Sequence, residues 1–252
     1  MNAETITKAQ RLDELLVARG LMPSRSRARD AILRGTVSVD GKPETKPGRT
    51  VAPAARIDID DPASRYVSRA ALKLVHGLDR FGVEVKGIRA LDIGASTGGF
   101  TQVLLERGAA HVTAIDVGHG QLHESIAGDP RVTSIEGLNA RELTLGHLHH
   151  GAPDLLVADV SFISLKLALP AALALAAPLA RGIFLVKPQF EAGRAAIGKG
   201  GLLRDPTDAD RVAEDLRRWI DGFPGWRAAG LVASPIEGGD GNREFLLLGE
   251  KA

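Results

Sequence analysis

Leu91-Asp92-Ile93-Gly94-Ala95-Ser96-Thr97-Gly98-Gly99-Phe100 is the stretch whose reading decides the fold. The segment 89–93 is strand-like and stops at a cluster of small residues, after which 101–107 has a helical pattern. Glycines at such a strand-to-helix turn let the backbone approach a ligand at the carboxyl edge of an open sheet. Working outward, strand-like segments are predicted at 89–93, 111–116, 131–135, 154–159, 182–187, 228–233 and 244–248, with helix-like segments between them. That alternation predicts an α/β fold with a doubly wound, mostly parallel sheet.

The second strand ends at Asp116, about 20 residues past the glycine loop, where a carboxylate can accept hydrogen bonds from a ribose diol. Dinucleotide-binding proteins use the same two features, so an NAD-linked oxidoreductase is one reading. Two points favour S-adenosylmethionine instead: the loop is G-A-S-T-G-G and not G-x-G-x-x-G, and Asp92 lies inside the strand just before it.

The first 60 residues read differently. Leu12, Leu15 and Leu16 fall at helical spacing ahead of Gly20, which is placed to end a short helix. Ser24 is placed to cap a second helix, 25–34, which Gly35 ends. Val37 and Val39 then alternate with Thr36 and Ser38, and Asp40-Gly41 supplies a tight hairpin turn into Lys42. The prediction is a small α+β domain over 1–60, a linker over 61–66, and the α/β domain over 67–252.

Net charge is only +1, but it is unevenly spread. Residues 1–80 hold 15 basic against 10 acidic side chains, and the remainder 17 against 21. A basic region beside a mildly acidic one suggests that the first part meets a polyanion. Arg25, Arg27, Arg29 and Arg34 lie within ten residues, a guanidinium cluster suited to phosphates; a solvated helix face is the plainer reading. The absence of cysteine excludes disulfides, thiolate metal sites and cysteine nucleophiles. His147, His149 and His150 have no convergent carboxylates, so no metal site is expected. The N-terminal MNAETITKAQ has no signal-type apolar core, and the longest apolar run, 167–180, is too short for a span and contains Pro170 and Pro178. A cytoplasmic protein without stable membrane association is expected.

RLDELLVARGLMPSRSRARDAILRGTVSVDGK, from Arg11 to Lys42, resembles over its full length the small RNA-binding domain first described in ribosomal protein S four. Lys73, Asp159 ending the fourth strand, Lys187 in FLVKPQF and Glu244 in NREF resemble the Lys-Asp-Lys-Glu tetrad of FtsJ-like ribose 2′-O-methyltransferases. The combination, with the stretches EGLNAR from Glu136 and VKPQFE from Val186, is similar to the TlyA family, formerly called haemolysin A. One departure is Ala70-Ala71, where that family commonly has small residues including glycine.

The resemblance implies a Rossmann-like, seven-stranded methyltransferase domain with strand order 3-2-1-4-5-7-6. It implies S-adenosylmethionine as cofactor, held by Asp92, Gly94, Ala95, Ser96, Thr97, Gly98, Gly99, Phe100, Asp116, Asn139 and Asp159. It implies catalysis by Lys73, Asp159, Lys187 and Glu244, and RNA contacts from Arg11, Arg25, Arg27, Arg29, Arg34 and Lys42. The implied reaction is methylation of a cytidine ribose in 16S rRNA, 23S rRNA or both, on free RNA, a ribosomal subunit or an assembly intermediate.

A ribose hydroxyl is a weak acid and attacks a methyl group well only if its proton is removed as the bond forms. Lys187 is the expected base, held in line by Asp159 and Glu244, with Lys73 orienting the hydroxyl or its phosphate. An RNA-binding protein with an inactive methyltransferase fold, and a membrane-active haemolysin, are the competing readings. The basic segment 193–204 is expected to be a flexible loop that closes over RNA or merely connects.

Overall fold

The computed structural model describes residues 8–239 and 241–252; of the N-terminal segment read above for a targeting signal, residues 1–7 lie outside it. The chain divides into two compact units between Ser64 and Arg65.

In the first unit, β1 (Gln10–Arg11) leads into α1 (Leu12–Ala18), followed by α2 (Arg25–Leu33), β2 (Val37–Val39), β3 (Lys42–Glu44), β4 (Thr50–Val51) and β5 (Ile57–Ile59). β2 is the middle strand of three, antiparallel to both β3 and β5, and β1 pairs with β4. Leu12, Leu15 and Leu16 of α1 pack with Ala28, Ala31 and Ile32 of α2 in one apolar core. The Ser24 hydroxyl accepts from the Arg27 N–H and so caps α2. Asp40 and Gly41 have φ of 50° and 78°, the two left-handed positions a two-residue hairpin turn demands.

The second unit opens with α3 (Ala71–Phe81) and continues β6 (Arg89–Ile93), α4 (Gly99–Glu106), β7 (His111–Asp116), α5 (Glu124–Ala127), β8 (Val132–Glu136) and β9 (Leu155–Ala158). Then come α6 (Leu165–Ala168), α7 (Pro170–Leu175), β10 (Arg181–Val186), α8 (Pro188–Glu191), α9 (Asp208–Asp221), β11 (Trp226–Ala233) and β12 (Phe245–Lys251). Seven strands form one sheet in the order β8-β7-β6-β9-β10-β12-β11, which is the expected 3-2-1-4-5-7-6. β12 alone is antiparallel to its neighbours β10 and β11.

Both faces of the sheet are covered, which is why its central strands β9 and β10 read as nearly continuous apolar runs and do not alternate. Leu91, Ile93, Phe184 and Val186 point to one face, under α7 and α9, while Ala90, Ile183 and Leu185 point to the other, under α3 and α4. α9 supplies its stripe from Ala209, Val212, Ala213, Leu216 and Ile220, spaced for one side of a helix.

Three segments take a definite local form. In residues 61–66, predicted as a linker, the Asp61 carboxylate is bound by Arg34, residues Pro62–Arg65 form a 3-10 turn, and Tyr66 is buried in the core of the second unit. The segment 193–204 is folded back on itself by an Ile197–Leu203 bridge and pinned by Asn242, whose side chain accepts from the Leu203 N–H and donates to the Gly201 carbonyl. The apolar run 167–180 breaks at Pro170, as its prolines predict, between the short helices α6 and α7. Among the described residues no helix is long and apolar enough to cross a membrane.

Candidate active site

β6 brings the Asp92 carboxyl to the heart of the sheet edge, with no exposed surface. Its Oδ2 accepts from the Thr101 hydroxyl at 2.7 Å, and Oδ1 has no hydrogen-bond partner in the protein. Burial pushes this carboxyl up to about 7, against the Thr101 hydrogen bond and with the help of the negative charges of Asp159 and Asp116. A buried acid with a free oxygen is suited to a cationic ligand.

The glycine turn follows directly. Gly94 has φ 81°, and a side chain there would put its first carbon 2.6 Å from the Asp159 carbonyl oxygen. Gly98 has φ 94°, and α4 begins at Gly99, so the helix starts two residues earlier than 101–107 predicts. Ser96, at φ 46°, turns its N–H onto Asp116 Oδ2 at 2.8 Å, while Asp116 Oδ1 accepts from the Gly118 N–H at 2.7 Å. Each oxygen of Asp116 retains acceptor capacity toward a bound diol.

Beside this turn lies a cavity of 530 Å³ bounded by Gly94, Ser96, Asp116, Asn139, Asp159 and Phe162, among others. A smaller one of 140 Å³ adjoins it, sharing Gly94, Ser96, Asp159 and Ser161, and is closed by Ser68, Ala70 and Lys187. The larger has room for a nucleoside-sized donor, and the smaller for the group that receives the methyl. The glycine cradle, the unpaired Asp92 oxygen and Asp116 fit an S-adenosylmethionine molecule.

The four tetrad residues converge as two ion pairs. Lys187 Nζ lies 2.6 Å from Asp159 Oδ1 and donates to the Ser161 hydroxyl at 2.8 Å. Lys73 Nζ lies 2.5 Å from Glu244 Oε2, both side chains almost wholly buried. This corrects the expectation for Glu244, which is paired with Lys73 and not with Lys187. Register explains the neighbourhood: β10 and β12 pair Val186 with Phe245, so Lys187 and Glu244 are the next residues beyond the paired strands. Asp159 likewise falls one residue past β9, so the strand ends differ from prediction by one while the edge is the same.

Several lining residues escaped the sequence reading. Ser161, Phe162 and Ile163 wall the large cavity; Glu136, named above only as part of a motif, lines neither cavity but accepts N–H groups from Gly120 and Gln121, fixing the turn after β7. Their signal was position alone: each follows, or ends, a strand at the carboxyl edge.

In the first unit, Arg29 and Lys42 are exposed. Arg11 and Arg25 converge on the buried Asp13, with Arg25 half exposed. Arg27 donates to the Ala63 carbonyl. Arg34 departs from the expected phosphate contact: it is largely buried and spent on Asp61 and Asp30. Burial would raise the Asp61 carboxyl, but the Arg34 hydrogen bonds prevail and hold it below the usual range.

Comparison with known proteins agrees with this geometry. Residues 66–251 match the FtsJ-like methyltransferase family and residues 10–57 the S4 domain. The chain is 46% identical to the 16S/23S rRNA (cytidine-2′-O)-methyltransferase TlyA of Mycobacterium tuberculosis, over 96% of this chain and 90% of that protein. It is 39% identical to hemolysin A of Brachyspira hyodysenteriae, over 94% and 98%. A solved structure from Streptococcus thermophilus, provisionally named a hemolysin, superposes with a TM-score of 0.75 at 39% identity, over 98% of this chain and 90% of that one. The chain belongs to the FtsJ-like methyltransferases and, among them, to the TlyA family.

Proposed function

We propose that the protein transfers a methyl group from S-adenosylmethionine to the 2′-hydroxyl of a cytidine ribose in 16S rRNA, 23S rRNA or both. The observation that carries this is the Lys187–Asp159 pair, which closes a small cavity opening onto the glycine-lined one. Similarity to the mycobacterial rRNA (cytidine-2′-O)-methyltransferase supports the substrate class.

The bound donor supplies an electrophilic methyl group on a positively charged sulfur. The protein does the rest. Asp116 and Asn139 hold the nucleoside end, and Asp92, buried two residues before Gly94, acts on the donor's cationic end through its charge and not by contact. The ribose hydroxyl enters between Ala70 and Lys187, and Lys187, having first released its own proton to solvent, takes the hydroxyl proton as the oxygen attacks. Asp159 and Ser161 hold that amine in line, and much of the rate comes from this placement. Lys73 and Glu244 stiffen the edge beside it as a buried, mutually neutralising pair.

The S4 domain anchors the RNA through its outward charges, Arg25, Arg29 and Lys42, reading shape and backbone and not sequence. The test is a map of 2′-O-methylated nucleotides in rRNA from cells with and without the protein. A cytidine site lost with the gene and restored by wild type supports the proposal; an unchanged map contradicts it.

A further inference from the structure

One short turn grips the wall of the active site at three places. That wall is the segment after β9, Asp159 to Leu165, which bounds both cavities. The turn runs from Lys187 through α8. At its start Lys187 holds Asp159 and Ser161. Near its end the Phe190 ring lies 5.2 Å from that of Phe162, a residue with its backbone left-handed at φ 66°. At its end Glu191 takes both remaining polar groups: Oε2 accepts from the Ser164 hydroxyl at 2.6 Å and Oε1 from the Leu165 N–H at 2.7 Å.

A non-glycine residue at positive φ costs free energy and persists only when its surroundings hold it. Phe162 is 91% exposed, so its own burial does not hold it. The restraint comes from the two ends of its segment, and the far end is Glu191. That carboxylate is half-buried, with Lys166 the nearby cation and, among the described residues, no cation at hydrogen-bond distance, so the cost of its burial is offset chiefly by two short hydrogen bonds.

We infer that Glu191 is a positioning residue of methyl transfer: by clamping Ser164 and Leu165 it fixes the 161–164 segment, and so sets Ser161 against Lys187. The inference rests on the proposal that Lys187 is the proton acceptor. Glu191 touches neither cavity and acts only through that segment. Losing it frees the segment from one end, relaxes Phe162 out of the left-handed region and removes the Ser161 oxygen from the Lys187 amine.

The experiment uses the full chain and three variants, Glu191→Ala, Glu191→Gln and Ser164→Ala. Hydrogen exchange is followed over 160–166, and methylation of rRNA by kcat and KM. In Glu191→Ala, exchange over 161–165 should quicken about tenfold or more while β6, β9 and β10 stay protected, and kcat should fall about tenfold with KM for RNA within about threefold. Glu191→Gln keeps an acceptor for the Leu165 N–H and a polar partner for Ser164, so its kcat should stay within about threefold of wild type. Ser164→Ala should lower kcat in the same direction, and the double variant with Glu191→Ala should be no worse than Glu191→Ala alone.

Wild-type kcat in Glu191→Ala, or additive losses in the double variant, would overturn the inference. If Glu191→Ala does not fold, a wild-type kcat in Ser164→Ala overturns it equally. If wild type itself transfers no methyl group while exchange over 161–165 still quickens in Glu191→Ala, the clamp stands and the enzyme reading falls.

Discussion

Lys73 and Glu244, 171 positions apart in the chain, meet at 2.5 Å with both side chains almost fully buried. Such a pair gives little net stability, because desolvating two charges offsets their attraction, yet stranding one of them is costly. Lys73→Ala or Glu244→Ala should therefore destabilise the protein by roughly 3–5 kcal/mol in denaturant titration. Lys73→Met with Glu244→Leu should recover most of that stability. If the pair also serves methyl transfer, the recovered double variant stays slow; wild-type rates from it would make the pair purely structural.

Asp116 holds the Ser96 and Gly118 N–H groups and borders the large cavity. Asp116→Ala should weaken S-adenosylmethionine binding by roughly 1–3 kcal/mol, read by calorimetry. Unchanged affinity would assign the nucleoside end to another carboxylate.

Asp92 makes donor binding depend on pH. Its folded value, about 7, stands above the ordinary 3.8, so the stability it contributes is full below the ordinary value and is lost as pH rises through about 7. Without donor, the protein should melt lower at about pH 8 than at about pH 6 on account of this group, and Asp92→Asn should flatten the difference. A cationic donor favours the ionised form, so its affinity should rise over the same interval, with proton release seen by calorimetry in buffers of different ionisation heat. A flat affinity profile would detach Asp92 from the donor.

The basic residues of the first unit separate into two kinds. Arg29→Ala with Lys42→Ala, both exposed, should lower rRNA affinity and reduce the salt slope by about two, with little change in melting. Arg34→Ala should instead destabilise the first unit by roughly 3–5 kcal/mol, because Asp61, 5% exposed, loses the cation that holds it ionised. Melting and filter binding, run on both variants, decide the division.

What the sequence made legible was what local pattern and register determine. The turn from Asp92 to Gly99 announces a ligand-binding strand end because only small residues permit its backbone, as the close approach of Gly94 to Asp159 bears out. The hairpin at Asp40-Gly41 and the cap at Ser24 were legible for the same reason. The pairing of Glu244 with Lys73 was not, since it depends on which helix packs over β12. Nor was the burial of Arg34, for a charge cluster in sequence does not say which members find acids in space. Glu191 was invisible as a clamp because its partners lie 26 and 27 residues away, across a strand and two helices.

The most direct test of the account is single-turnover transfer of labelled methyl from S-adenosylmethionine to rRNA by wild type, Lys187→Ala and Lys187→Arg, each first checked for donor binding. Wild type should label the 2′-oxygen of a cytidine. Both variants should bind the donor normally and transfer nothing measurable, because alanine has no proton acceptor and a guanidinium keeps its charge. Transfer by Lys187→Arg at a rate near wild type would contradict the account, showing that the position supplies positive charge and that the proton goes elsewhere.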